Sequence, residues 1–300
     1  MNIIQVSQSF PDNEACIRHL ESVRWKGLPT CPHCKSSDVA RKKDNKRIGR
    51  WNCHDCGSSF NVLSGTMFQN TKIDLTKWFM AIALIVNAKK SLSSHQLARD
   101  LDLNVKTAWY LMQRIRAEMQ HQDGENLLQG IIEADETFVG GKPSSQYKNK
   151  GKGKRGRGTK KMTFLGAIQR GGQVIVKALD EIHQPRSQSL GKAVVDFIRE
   201  NVITGESQLI TDGFKAYEKL KDDMPHHVVT DKREVVDDVQ IHTNQMEGFW
   251  AGIKRAFYGT HHHYTRKYAP LYIAEAVFKF NRRGLDIFSS FLNGCLPMTV

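Results

Sequence analysis

Apolar residues in this chain recur at helical spacing in its early part, fall into strand-like runs in the middle and regain helical spacing near the end. Ala15, Cys16, Leu20 and Val23 make one side of a short amphipathic helix within residues 1–30. Between Thr71 and Met119, Leu75, Trp78, Phe79, Ile82 and Ile85 are spaced by three and four, which predicts one buried helical stripe. A second pattern follows, with Ser93 or Ser94 as N-cap and Leu97, Leu101 and Leu103 facing inward. After a turn around Asp102 to Asn104, a further helix carries Trp109, Met112 and Ile115 inside and Lys106, Arg114 and Arg116 outside.

The texture then changes. A strand is predicted from about Gly130 to Phe138, stopped by Gly140 and Gly141. KMTFLGAIQ and QVIVKAL flank Arg170-Gly171-Gly172, which reads as a hairpin. Ser189 to Asn201 is an amphipathic helix with Val194, Val195, Phe197 and Ile198 toward the sheet. SQLITDGF is a short strand ending at Asp212-Gly213, HHVVT an edge strand, and two helices close the chain, about 243–257 and 269–282.

These patterns divide the chain into an N-terminal helical segment (1–30), a cysteine-bearing segment (31–60), a helical region (70–120), an α/β domain (128–285) and a tail (286–300). The net charge of +13 and pI near 9.5 call for a polyanionic partner, which nucleic acid and an anionic membrane surface both satisfy. No apolar stretch reaches the roughly 20 residues of a membrane span. The start MNIIQVSQSFPDNEA lacks the basic region and apolar run of a secretory signal, so a cytoplasmic protein is expected, on the chromosome when bound to DNA.

Four of the six cysteines form two C-x-x-C pairs, Cys31/Cys34 and Cys53/Cys56, with 18 residues between them. That spacing fits one structural Zn²⁺ held by two knuckles, and disulfides or free thiols are the alternative. A ribbon this small needs the metal to fold. The connection between the knuckles carries Lys35, Arg41, Lys42, Lys43, Lys46, Arg47 and Arg50 against Asp38 and Asp44. Phosphate contact and a merely solvated basic hairpin both fit. The two short helices and turn in 70–120 read as a helix-turn-helix with Lys106 and Arg114 toward DNA; a plain helical hairpin has the same pattern. Residues 142–161 hold nine positive charges and no acid, among them Lys152, Lys154, Arg155 and Arg157. This basic loop is placed to wrap DNA or to bind polyanions indiscriminately.

Three acids stand out by position: Asp135 inside the first long strand, Asp212 just past the apolar end of a later strand, and Glu247 in the first turns of a helix striped with Met246, Phe249, Trp250, Ile253 and Phe257. Carboxylates gathered together repel, and divalent cations relieve that penalty. Mg²⁺ suits oxygen ligands that leave room for water and phosphate. Glu133 and Glu136, beside Asp135, are expected on the opposite face of the strand. Asp231, Asp237 and Asp238 read as solvated loop residues. The order strand, hairpin strands, helix, strand, helix is that of a ribonuclease H-like (retroviral integrase-like) α/β fold, and Asp212 and Glu247 stand 35 residues apart (247 − 212), as in retroviral integrases and many transposases.

EADETFVGGK, TDGFKAY, HTNQMEGFWAGIKRAFYGTHHHYTRKYAP and FKFNRR resemble segments of bacterial insertion-sequence transposases that join a zinc ribbon to a DDE catalytic domain, the IS fifteen-ninety-five (ISXO-two-like) group. The resemblance covers the cysteine pairs and nearly all of 130–283. It implies that Asp135, Asp212 and Glu247 hold two Mg²⁺ (or Mn²⁺) ions, with Asp135 bridging, and that Lys254 holds a phosphate or orients a terminal nucleotide. His242 and Asn244 become candidates for groups supporting the site, while His261 to His263 are expected to meet DNA or solvent. Arg282 and Arg283 would touch phosphate or simply end a helix. The implied activity is binding of terminal inverted repeats, strand cleavage and strand transfer by a homodimer or larger synaptic assembly. A DNA-binding regulator with a vestigial nuclease fold, or a nuclease without strand transfer, would share these features.

Overall fold

The computed structural model describes residues 1–42, 49–122, 127–140, 161–179, 190–229, 234–236 and 238–296. The chain forms two units, one of Met1–Gln122 with Arg282–Val300 and one of Asp123–Asn281.

In the first unit, α1 (Ile3–Ser9) begins at a capping box between Asn2 and Gln5, and α2 (Asn13–Trp25) begins where Asp12 accepts the Ala15 amide at 2.7 Å. β1 (Val39–Arg41), β2 (Arg50–Cys53) and β3 (Ser59–Asn61) form an antiparallel sheet in that order. Trp25 fastens this small sheet to α2 through edge contacts with Trp51 and Phe60, at 5.7 and 6.0 Å between ring centres. α3 (Leu75–Asn87) is apolar on most sides and buries Trp78, Phe79, Ile82 and Ile85.

α4 (Ser94–Asp100) starts at Ser93, whose hydroxyl accepts the Gln96 amide at 3.1 Å. A tight turn with Asp102 in the left-handed region (φ 47°) leads into α5 (Val105–Gln122). Lys106 faces outward as expected, but Arg116 does not: it is 1% exposed and donates to Ser91 Oγ at 3.2 Å. The reason is its spacing, one helical turn after Met112 and on the same inward stripe as Met119.

The second unit is built on a five-stranded sheet. β4 (Leu128–Val139), β5 (Met162–Gln169) and β6 (Val174–Leu179) run antiparallel. After α6 (Leu190–Asn201), β7 (Val202–Thr211) pairs parallel to β4, and β8 (His226–Val228) parallel to β7. The spatial order is β6-β5-β4-β7-β8. A 3-10 helix, Lys215–Leu220, joins the last two strands, and a hairpin of β9 (Glu234–Val236) and β10 (Val239–Ile241) precedes α7 (Asn244–Ala256) and α8 (Ala269–Asn281).

Each face of the sheet is covered. Val194, Phe197 and Ile198 of α6 pack on Ile132, Ala134, Leu165 and Leu209. Met246, Trp250 and Ile253 of α7 pack on Phe164, Ile168 and Val174, together with Ile273 and Val277 of α8. The chain then returns to the first unit as α9 (Ile287–Gly294). Residues 286–300, expected as a tail, thus include a helix that buries Phe288, Phe291 and Leu292, with Phe288 against Phe79 at 6.0 Å.

Candidate metal centre and active site

The four cysteine sulfurs of the ribbon converge. Cys31 lies 3.6 Å from Cys56 and Cys34 lies 3.4 Å from Cys53, and all four sulfurs fall within 4.8 Å of one another. These distances are too long for disulfides and close to the edge of about 3.8 Å expected for a tetrahedron of zinc–sulfur bonds of about 2.3 Å. Two matching knuckles produce the geometry. The Lys35 amide donates to Cys31 O at 2.9 Å, and the Gly57 amide to Cys53 O at 3.1 Å. Each knuckle turns at a left-handed residue, Lys35 (φ 62°) and Gly57 (φ 70°). The donor set and its spacing fit one zinc ion.

Of the basic residues between the knuckles, Lys43, Lys46 and Arg47 lie outside the described residues. Arg41 is engaged, 5.7 Å over the Trp51 ring and 3.5 Å from Glu21. Lys35 and Lys42 are exposed.

On α5, Lys106, Tyr110 and Arg114 are spaced four apart and form one stripe. Tyr110 is 54% exposed, a large aromatic ring presented to solvent. Arg114 is half-buried, its guanidinium lying over Trp78 at 5.6 Å and Tyr110 at 5.8 Å. Beside it opens a cavity of about 630 Å³ lined by Gln69, Lys72, Trp78, Tyr110 and Arg114 among others, with no acidic residue in its wall. Tyr110 escaped the sequence reading because an aromatic at helical spacing reads first as core. Lys152, Lys154, Arg155 and Arg157 lie outside the described residues.

In the second unit, Asp135 sits at the centre of β4 and Asp212 immediately after β7, its parallel neighbour. Burial pushes the Asp135 carboxyl up to about 6, and the nearby carboxylates of Glu136 and Asp212 push the same way. The Glu136 amide, donating at 2.8 Å, and the Lys254 charge pull it back. Asp135, Asp212 and Lys254 therefore share one electrostatic neighbourhood. Asp212 is exposed and accepts the Phe214 amide at 3.0 Å, which fixes the turn leaving β7.

Glu247 is exposed in the first turn of α7, where its carboxylate accepts the Thr243 hydroxyl at 3.0 Å. Among the described residues, the four cysteines close into a group with ligand atoms within 4.8 Å of one another, and Asp135, Asp212 and Glu247 do not. The chemistry of the three acids nonetheless fits divalent cations. They are oxygen donors from three parts of the chain, and Asp135 is destabilised as an anion first by burial and then by its acidic neighbours Glu136 and Asp212.

The two glutamates beside Asp135 take different faces. Glu136 does lie opposite, toward the α6 side, where Tyr217 donates to it at 3.3 Å. Tyr217 is 2% exposed, and burial, reinforced by Glu136, Asp135 and Asp212, holds its phenol well above the usual range. Glu133 corrects the expectation. Side chains of a strand repeat every two residues, so Glu133 shares the Asp135 face. There it contacts the start of α7, with its Oε2 accepting the Gln245 and Met246 amides at 2.8 and 3.1 Å.

His242 joins Glu133 and Arg170, whereas Asn244 is exposed at the helix start. His261 stacks edge-on against Tyr272 at 4.6 Å, and His262 and His263 are exposed. Arg282 donates to Gln122 O at 2.9 Å and Arg283 is exposed. Asp238 turns the β9–β10 hairpin in the left-handed region (φ 62°), while Asp231 and Asp237 lie outside the described residues.

Residues 127–281 match the model of the ISXO2-like transposase domain, and residues 11–59 that of the transposase zinc-ribbon domain. A protein in transposable element ISH50 of Halobacterium salinarum is 27% identical over 266 residues, covering 85% of this chain and 86% of the relative.

Proposed function

The chain belongs to the ISXO2-like transposase family, and on that premise we propose that it binds the terminal inverted repeats of a bacterial insertion sequence, cleaves DNA there and joins the ends to target DNA. The observation that carries this reading is the nearness of Asp135 on β4 to Asp212 just past the end of β7, the parallel neighbour of β4, close enough for one charge to oppose the other, with the Lys254 charge in reach of Asp135. The strand order supports a ribonuclease H-like domain, with the first strand central, its antiparallel hairpin on one side and two parallel strands on the other.

Asp135, Asp212 and Glu247 would hold two Mg²⁺ (or Mn²⁺) ions. When bound, such ions activate the attacking water or hydroxyl and stabilise the leaving 3′ oxygen. Asp135 is suited to hold a cation because it is half withdrawn from water and crowded by the charges of Glu136 and Asp212. Glu247 is exposed, so its rotamer is set by the Thr243 hydroxyl and not by core packing, and exchanging that hydroxyl for a cation frees it to join the aspartates. Lys254 lies seven residues along the same helix and would hold a DNA phosphate.

The first unit supplies DNA recognition on this reading. The turn at Asp102 and the stripe of Lys106, Tyr110 and Arg114 support a helix-turn-helix whose second helix enters DNA. A cation, a solvent-facing aromatic and an acid-free cavity suit a phosphate and an adjacent base. One Zn²⁺ on Cys31, Cys34, Cys53 and Cys56 would hold the ribbon together. The working form would be a homodimer or larger assembly in the cytoplasm, bound to the nucleoid. No helix among the described residues is long and apolar enough to cross a membrane.

The test is incubation of the full chain with a labelled terminal repeat, target DNA and Mg²⁺. Nicked and joined products are expected. Nicking without joining would reduce the protein to a nuclease, and binding without either would make it a regulator.

A further inference from the structure

α7 begins without a cap of its own. Thr243 occupies the N-cap position but its side chain accepts no amide of the first turn, its hydroxyl donating instead to the Glu247 carboxylate. The opening amides of a helix need acceptors. Here they find one from another element: Glu133 of β4, 0% exposed, whose Oε2 accepts both the Gln245 and Met246 amides.

The other carboxylate oxygen completes a closed network. Arg170, in the β5–β6 turn, donates Nε–H to Glu133 Oε1 at 2.7 Å. The same guanidinium donates through Nη2 to His242 O at 2.7 Å and meets His242 Nδ1 at 3.0 Å. Both the helix start and the residue preceding its N-cap are therefore held on β4 by one buried side chain.

The placement matters because Glu133 stands two residues before Asp135, and Gln245 two residues before Glu247. Building on the transposase reading above, we propose that Glu133 is a positioning residue: it sets the distance between the strand that carries Asp135 and the helix that carries Glu247, and so the affinity of the cation that Glu247 helps to hold. The carboxylate needs no contact with cation or DNA to do this. Its two oxygens act on opposite sides, one toward α7 and one toward Arg170, so replacing either oxygen with an amide nitrogen loosens one of the two attachments.

The experiment uses the full chain and its Glu133→Gln, Glu247→Gln and doubly substituted forms. Hydrogen exchange without added Mg²⁺ reads the latch itself: the Gln245 and Met246 amides are expected to exchange about tenfold faster in Glu133→Gln, with Trp250 and Ile253 unchanged. Calorimetric titration with Mn²⁺ reads the consequence. One of two sites should weaken on the order of tenfold in Glu133→Gln and similarly in Glu247→Gln, with little further loss in the double variant, because both act on one ligand.

Should Glu133→Gln fail to fold, Arg170→Lys keeps the charge but loses the fork, and it should give a smaller shift in the same Mn²⁺ site. Faster exchange with unchanged Mn²⁺ binding, or fully additive losses, would overturn the inference and leave a structural cap. Absence of Mn²⁺ binding in the unsubstituted protein would overturn the transposase reading and this inference with it.

Discussion

Asp135 on β4 stands directly across the strand ladder from Gly166 on β5. A Cβ at Gly166 would lie 2.5 Å from both Met246 Cε and Trp250 Cζ2, so this glycine is what lets α7 close onto the sheet opposite the central carboxylate. The approach of the Glu247 helix to the Asp135 strand therefore rests on a missing side chain as much as on any contact made.

Gly166→Ala should push α7 outward. The expected cost is about 1–3 kcal/mol, the usual range for overpacking, because the neighbours are ring and thioether atoms within a filled core. Chemical denaturation would measure it. DNA cleavage should fall in the same variant while DNA binding holds, since the stripe proposed to meet DNA, Lys106, Tyr110 and Arg114, lies in the other unit.

The Asp135 carboxyl, ordinarily near 3.8 and here about 6, gives the metal-free protein a signed pH dependence. Between about pH 4 and 6 the folded chain keeps a proton that the unfolded chain releases, so stability falls as pH rises, by roughly 2–3 kcal/mol at completion. Asp135→Asn should remove that segment of the curve and raise the melting temperature at neutral pH without added Mg²⁺. The measurement is thermal melting of both forms across pH, and parallel curves would count against the assignment of the burial.

Zinc analysis should find one ion per chain. Cys53→Ser replaces a sulfur that is 2% exposed and should empty the centre, because three remaining ligands no longer match the tetrahedron. Melting of the ribbon and its Trp25 contacts should move to lower temperature while the five-stranded sheet keeps its transition. Circular dichroism and Trp fluorescence can follow the two.

Lys106→Gln should weaken DNA binding evenly across sequences and reduce the salt slope by about one ion. Tyr110→Ala should weaken it with the salt slope unchanged, as loss of a stacking surface requires. Fluorescence anisotropy over a salt series separates the two. Equal salt slopes for the unsubstituted and Lys106→Gln proteins would remove Lys106 from the phosphate contacts.

Much of this architecture is legible along the chain because its elements keep clean periods. The apolar run that opens the central strand, the stripe Met246, Phe249, Trp250 and Ile253, and the two C-x-x-C pairs each announce one environment. What escapes the sequence depends on partners far along the chain. Glu133 looks like any surface glutamate until α7 brings two unpaired amides against it. Arg116 looks solvent-facing until its turn is set against that of Met112, and Phe288 and Phe291 look like tail residues until α9 packs on α3. Gly166 carries a faint signal, since glycine inside a strand marks close approach of a neighbour.

The gathering of Asp135, Asp212 and Glu247 around cations is tested most directly by single-turnover cleavage of a terminal repeat by Asp135→Asn, Asp212→Asn and Glu247→Gln, with DNA affinity measured beside each rate. Each variant should bind DNA as the unsubstituted protein does and cleave it slower by on the order of a thousandfold or more, the scale of a lost metal ligand. A Glu247→Gln protein that cleaves at nearly the full rate would contradict the account, because the third acid would then have no part in the chemistry.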